Sequence, residues 1–252
     1  MRRGRLLTLI LLDSADSLRP PGFDVMMLVI AALGAVIATI QPVTKSYVLA
    51  RLVLEPTLFT VALYLGLRGA SGLASLVSYG VVEVYMSYPV SRRTVILGIL
   101  TSRVVVPALT LLFIPLLVAG IIVYPVVLDG PAQYLIVYGG YVVQALLYGT
   151  AFLLIALASK SSGTASVLSI TFYFAYGVVW LLMQTLAPSL GDWALHLSIA
   201  MMFYRVAYFT ALSYEGLSTI RLTTMDYLFV PVLLLSLLAT LLYYFERRFE
   251  PA

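Results

Sequence analysis

Cysteine and asparagine are both absent from the 252 residues, which hold a single histidine, His196, and two lysines. Without cysteine there is neither a disulfide nor a thiolate metal site, and no metal-ligand cluster can be assembled from the sequence. The lack of cysteine and asparagine fits a heat-adapted source, and a membrane composition depresses both as well. Charge is scarce too. Charged residues make up 10% of the chain, against about 25% in a soluble domain. The net charge of +4 is no nucleic-acid signal, because the basic residues are scattered at the ends of apolar runs, where membrane orientation explains them. A phosphate loop needs Gly-Lys followed by Ser or Thr. Lys45 follows Thr44 and Lys160 follows Ser159, so the chain carries no ATP site of that kind. The carboxylates, Asp13, Asp16, Asp24, Glu55, Glu83, Asp129, Asp192, Glu215, Asp226, Glu246 and Glu250, all fall at run ends or in loops. That speaks against an ion-driven carrier, which buries carboxylates within its spans.

What is present is apolar. Hydrophobic residues make up 62% of the sequence, in long uncharged runs at 25–44, 104–128, 130–159, 161–191 and 227–245. Each is long enough for a helix that crosses about 30 Å of hydrocarbon. A sixth run, 56–82, is interrupted only by Arg68. The runs are continuously apolar, with no in/out alternation, which favours helices over a barrel. The expectation is an all-α polytopic membrane protein, one membrane domain over 1–252, with spans at about 23–44, 56–82, 95–128, 132–159, 164–188 and 227–245. Pro107, Pro115 and Pro125 should bend the third span. Ahead of the first, Arg2, Arg3 and Arg5 precede the apolar stretch 6–12 with no small-residue cleavage site, so 5–18 reads as a helix lying in the interface plane.

Six spans place both termini on one side. Nine basic residues (Arg2, Arg3, Arg5, Arg19, Arg92, Arg93, Lys160, Arg247 and Arg248) fall there. Four (Lys45, Arg51, Arg205 and Arg221) fall on the other, with Arg68 and Arg103 left aside. The bias puts both termini in the cytoplasm. Between spans five and six, Leu195, Ile199, Met202, Val206 and Phe209 recur at helical spacing. They predict one half-inserted outer helix, with His196 and Arg205 off its apolar face.

Three places could carry function. At 83–94 an apolar run ends at Glu83. A short amphipathic piece with Tyr85, Met86 and Tyr88 follows, and a Pro89-Val90-Ser91-Arg92-Arg93 turn opens the next run. Exposed aromatics at the water boundary suit a docking surface. Pro89 ends the helix, Ser91 caps the next one, and Arg92 and Arg93 can pair with partner carboxylates or lipid phosphate. Arg68, the one charge well inside a span, either lines a polar cavity or anionic headgroup site, or snorkels and pairs with a loop carboxylate. Gly69-Ala70-Ser71-Gly72 has the Gly-x-Ser-Gly form of intramembrane serine proteases. It would need His196 as base, and small residues there also serve close helix packing.

The stretch 80–100 resembles the membrane subunits of type-2 ATP-binding-cassette (ABC) exporters. Glu83, Tyr88, Pro89, Val90, Ser91, Arg92, Arg93 and Gly98 match a segment in which the second span runs through a cytoplasmic coupling helix and a Pro-x-Ser-Arg-like turn into the third. The six-span plan, the N-terminal interface helix and outer half-helices between spans five and six extend the resemblance over nearly the whole chain. Two stretches depart from the pattern. Val84-Tyr85-Met86-Ser87 stands where a Gly-Thr-Leu-Glu-like run is common, and Ile99 where a lysine is common. The resemblance implies a plasma-membrane permease subunit, not itself an enzyme. It would form a homo- or heterodimer with a second permease subunit and bind a separate cytoplasmic ATPase that carries ATP-Mg. A non-transporting membrane scaffold or assembly protein, and a serine protease using Ser71 and His196, are the alternatives.

Overall fold

The computed structural model describes residues 13, 18, 22–40, 43–87, 91–159, 161–218 and 220–248. Among them every regular element is a helix. Six are long and apolar enough to cross a membrane: α1 (Gly22–Ile40), α2 (Ser46–Ser78), α4 (Arg92–Ile122), α6 (Pro131–Ala158), α7 (Ser162–Leu190) and α10 (Thr224–Arg248). Four short helices join them: α3 (Val81–Ser87), α5 (Tyr124–Asp129), α8 (Asp192–Met201) and α9 (Phe203–Tyr214). The expected six-helix, all-α plan is present. The expected interface helix at 5–18 lies outside the described residues, apart from Asp13 and Leu18.

The bundle has two ends. The hinge end holds α3, where the start of α4 meets the finish of α10. The turn end holds Gly130, whose carbonyl accepts from the Ser46 hydroxyl at 2.8 Å. There Lys45 pairs with Glu215 at 3.1 Å, and this carboxylate holds the ammonium above its usual range. Helix α6 is the core helix. It packs on α2, α7, α9 and α10 and buries Tyr141, Tyr148 and Phe152. Helices α7 and α10 turn most of their surface outward, including Phe174, Val178, Leu181 and Leu235.

Helix ends follow local chemistry. Ser91 and Ser161 each accept from the backbone N–H three residues on, at 3.3 Å and 3.2 Å, and so start α4 and α7. Helix α2 starts at Ser46, well before the expected residue 56. Its early charges, Arg51 and Glu55, lie one turn apart and pair at 3.2 Å, so they do not break the helix. Helix α4 ends at Ile122 rather than near 128, and Pro125 opens α5. Pro107 would clash with the carbonyl four residues before it, that of Arg103. The chain widens to π-helical turns over Thr101–Val105, and that carbonyl faces Gly69, where an added β-carbon would stand 3.0 Å away.

Arg103 is the one fully buried guanidinium among the described residues. Its Nη2 donates to Asp13 Oδ1 at 2.6 Å, and Ser102 also donates to this carboxylate. Both partners are only 3% exposed. The space for the guanidinium is made by Gly72, where a β-carbon would overlap it. Asp13→Ala would leave a buried charge unpaired. We expect it to destabilise the detergent-solubilised protein by about 3–5 kcal/mol, and Asp13→Leu with Arg103→Met to recover most of that. Thermal unfolding of the three proteins reads it. Equal loss in the single and the double variant would contradict a structural ion pair.

Candidate functional site

The hinge is built by three local signals. Gly80, at φ +71°, lets the chain leave α2 and enter α3, and a left-handed turn of this kind favours glycine. Helix α3 is seven residues long. Ser91 then restarts the helix. Glu83, Val84 and Ser87 point to solvent, with Val84 55% exposed. Tyr85 and Met86 are half-buried and pack against the core, so the aromatic contact face expected there is turned inward in this chain. Tyr88 and Pro89 lie outside the described residues. The arginines direct donors to their own chain. Arg93 Nε donates to Glu246 Oε1 at 2.6 Å and its Nη2 to Oε2 at 3.4 Å. Arg92 Nη1 donates to the Glu246 carbonyl at 3.4 Å. The fork ties the start of α4 to the finish of α10. Arg93 stays 70% exposed, so the pair adds little stability.

Arg68 is exposed, within the π-helical turns Leu65–Ala70 of α2. Its guanidinium lies beside Gly22, where a β-carbon would come within 2.8 Å. It therefore stands level with the start of α1, toward the hinge end, rather than midway along a span. Ser71 and His196 are not brought together. The Ser71 hydroxyl donates to the Leu67 carbonyl, in the hinge-end part of α2. His196, at the turn end, donates from Nδ1 to Asp226 Oδ2 at 2.9 Å. The same oxygen accepts from the Thr223 N–H at 2.6 Å, which caps α10. Gly69 and Gly72 make room for Arg103.

The second candidate lies where the sequence predicts one amphipathic helix. The chain breaks at Met202, and α8 and α9 meet at 106°. Leu195 and Phe209 therefore belong to two different helices. The break reaches the middle of the bundle. Its freed groups are taken by side chains halfway along α6 and α7: the Phe203 N–H by Gln144 Oε1 at 2.8 Å, and the Met201 carbonyl by the Tyr176 hydroxyl at 2.5 Å. Nonhelical backbone at such depth persists only with protein partners.

Beside the break is a cavity of about 270 Å³, lined by Glu55, Tyr148, Tyr173, Trp180, Met202 and Tyr204 among others, which opens between Phe174, Val178 and Leu181 on the outer side of α7. Tyr204 stacks on Tyr141 with ring centroids 4.6 Å apart. The Arg205 guanidinium lies 4.5 Å over the Trp180 ring, and Arg51 lies 4.5 Å over Tyr208. The sequence reading counts Arg205 and Arg51 among the charges of the outer side, Arg205 off the apolar face of one half-inserted helix. The structure carries Arg205 in with the bent pair and Arg51 down α2. Gln144, the one amide in the middle of the run 130–159, with Gln133 at its start, was the available signal, since a polar group there needs a partner.

Neither a scan against protein-family models nor a search of curated proteins finds a match to this chain.

Gln144→Leu would orphan the Phe203 N–H, at a cost of about 1–3 kcal/mol, and amide exchange at 203–206 should accelerate. Gln144→Glu keeps the acceptor and should keep the protection. Unchanged exchange in Gln144→Leu would show that this bond does not hold the break.

Proposed function

We propose that this chain is the permease subunit of a type-2 ABC exporter. It pairs with a second permease subunit, identical or not, and docks a separate ATPase that binds and hydrolyses ATP-Mg. It lies in the plasma membrane with the hinge end in the cytoplasm.

One observation carries the reading. A seven-residue helix, set off by Gly80 on one side and the Ser91 cap on the other, joins two candidate spans at the end where the last span finishes. Such an element is too short to hold itself in water, and its outward face of Glu83, Val84 and Ser87 suits contact with another protein. The bent pair α8–α9 supports the same plan of outer half-helices between spans five and six. The mechanism follows from the ties. A push on α3 passes directly into α2 and into α4. Through the Arg93–Glu246 fork it also reaches α10. The ATPase cycle thereby moves three helices together, and transport is the response of the bundle to that movement. Tyr85 and Met86 transmit force by packing on the core, while Val84 and Glu83 meet the partner.

The test separates docking from packing. Val84→Asp changes an exposed position and should cost less than about 0.5 kcal/mol of stability, yet ATPase co-purification and ATP hydrolysis by the purified complex should both fall. A Val84→Asp complex that hydrolyses ATP at the original rate would remove α3 as the docking element. A chain that never purifies with an ATP-hydrolysing subunit would be a scaffold instead. Orientation is read by single cysteines: those at Ser91 and Ser162 should be shielded from impermeant reagent in intact cells, and one at Ser218 should react. The reverse pattern would invert the topology.

A further inference from the structure

We propose that the cavity beside Met202 binds an uncharged aromatic molecule of about two fused rings, which enters from the apolar outer side of α7 and accepts a hydrogen bond from Trp180. The lining decides the charge. Among the described residues Glu55 is its one charged member, and Glu55 is already paired with Arg51 at 3.2 Å. An anion would find no cation in the lining. A cation would compete with Arg51 for Glu55 and would stand near Arg205, which lies 4.5 Å over the Trp180 ring. Either ion would also exchange water for an apolar interior, at a large cost. A neutral ligand meets none of these penalties.

The rings decide the shape. Tyr148, Tyr173, Phe174, Trp180 and Tyr204 all border the cavity. Other rings hold two of them in place: Tyr148 meets Tyr173 edge to face with centroids 5.1 Å apart, and Tyr204 stacks on Tyr141. Fixed aromatic faces and edges favour a further ring over an aliphatic chain. The Tyr148 hydroxyl already donates to the Met202 sulfur at 3.6 Å. The Trp180 Nε1 is buried and has no acceptor among the described residues, and an oxygen on the ligand removes that penalty. Gly177, near the middle of α7, leaves the space open. At Gly140 and Gly149 of α6 an added β-carbon would overlap Ala207 and Val104, whereas at Gly177 it would meet no atom within 4 Å. Glycine weakens a helix interior, and here no close neighbour requires it. The volume of about 270 Å³ is under twice the roughly 150 Å³ that holds one benzene ring in an apolar protein cavity. The binding chemistry rests on these residues alone. Only the further step, that such a molecule is the exported cargo, rests on the permease reading.

Titration calorimetry of the protein in neutral maltoside micelles tests the site. Gly177→Leu, which fills the space, serves as the blank for partition into detergent. The ketone 2-acetonaphthone should bind saturably, one per chain. Naphthalene lacks the acceptor and should bind at least about threefold more weakly. The saturated ketone 2-decalone lacks the ring faces and should bind at least about tenfold more weakly. Neither 2-naphthoate nor (2-naphthylmethyl)trimethylammonium should exceed the blank. Trp180→Phe should lower the ketone to the affinity of naphthalene, while naphthalene binding in that variant reports that the cavity still forms. The ranking of ligands on the unaltered chain holds even where Trp180→Phe misfolds. Three results would overturn the proposal: 2-decalone equal to 2-acetonaphthone, either ion binding more tightly than the ketone, or full ketone affinity in Gly177→Leu. The titration needs neither nucleotide nor ATPase. Failure here with an intact ATPase complex removes the cavity site and leaves the permease reading standing, and the converse removes only the cargo role.

Discussion

The hydrogen bond from the Phe203 N–H to Gln144 is the contact on which the interior arrangement depends. A helix that stops halfway through an apolar bundle frees backbone donors and acceptors that water cannot reach. The chain meets this with one amide from α6 and one tyrosine hydroxyl from α7. Once the break at Met202 is held, everything beyond it is placed. Tyr204 falls on Tyr141, Arg205 on Trp180 and Tyr208 on Arg51, while Glu215 reaches Lys45 at the turn end. Before the break, His196 meets Asp226 and fixes where α10 begins.

The same logic governs the other charges. With so few of them in an apolar chain, most described ones are paired or near an end, and Arg205 instead lies over the Trp180 ring. Arg103 is buried and satisfied by Asp13, ninety residues earlier in sequence. Arg93 is exposed and holds α4 to α10 through Glu246. These pairs differ in kind. The first is dry, and a single-partner deletion leaves a stranded charge. The second is wet and contributes connection more than stability. The proposed coupling role would use that contrast: a dry interior pair under a hinge whose tie to α10 is exposed.

The six long helices were legible because hydropathy over twenty residues is a strong signal, and the Ser91 cap was legible because hydroxyl caps act locally. The side of α3 that faces out was not. In a helix of seven residues the orientation is set by what lies beneath it, and the core beneath draws Tyr85 and Met86 inward. The break at Met202 left no mark either, since Ala200, Met201, Met202 and Phe203 include neither glycine nor proline. Arg205 accordingly reads as a charge on the wet side of one outer helix until the 106° bend carries it inward. Arg68 errs in the opposite sense. It reads as deep because the sequence places the span at 56–82, which puts Arg68 at its middle, whereas α2 runs from Ser46 to Ser78. Its 33 residues extend about 50 Å, so one end of the helix overhangs, and Arg68 lies level with the start of α1. The Asp13–Arg103 pair depends on long-range packing that no local pattern encodes.

The central claim is that α3 is the contact through which an ATPase drives this bundle. A photoreactive benzoylphenylalanine at position 84 tests it most directly, with the same group at Leu97, exposed on the outer side of α4, and at Leu217, exposed beyond α9 near the turn end, as controls. The account predicts a cross-link from position 84 to a nucleotide-binding polypeptide, altered in yield by ATP, and none from the two controls. Cross-links to lipid alone at position 84, or the same polypeptide captured from position 217, would contradict it.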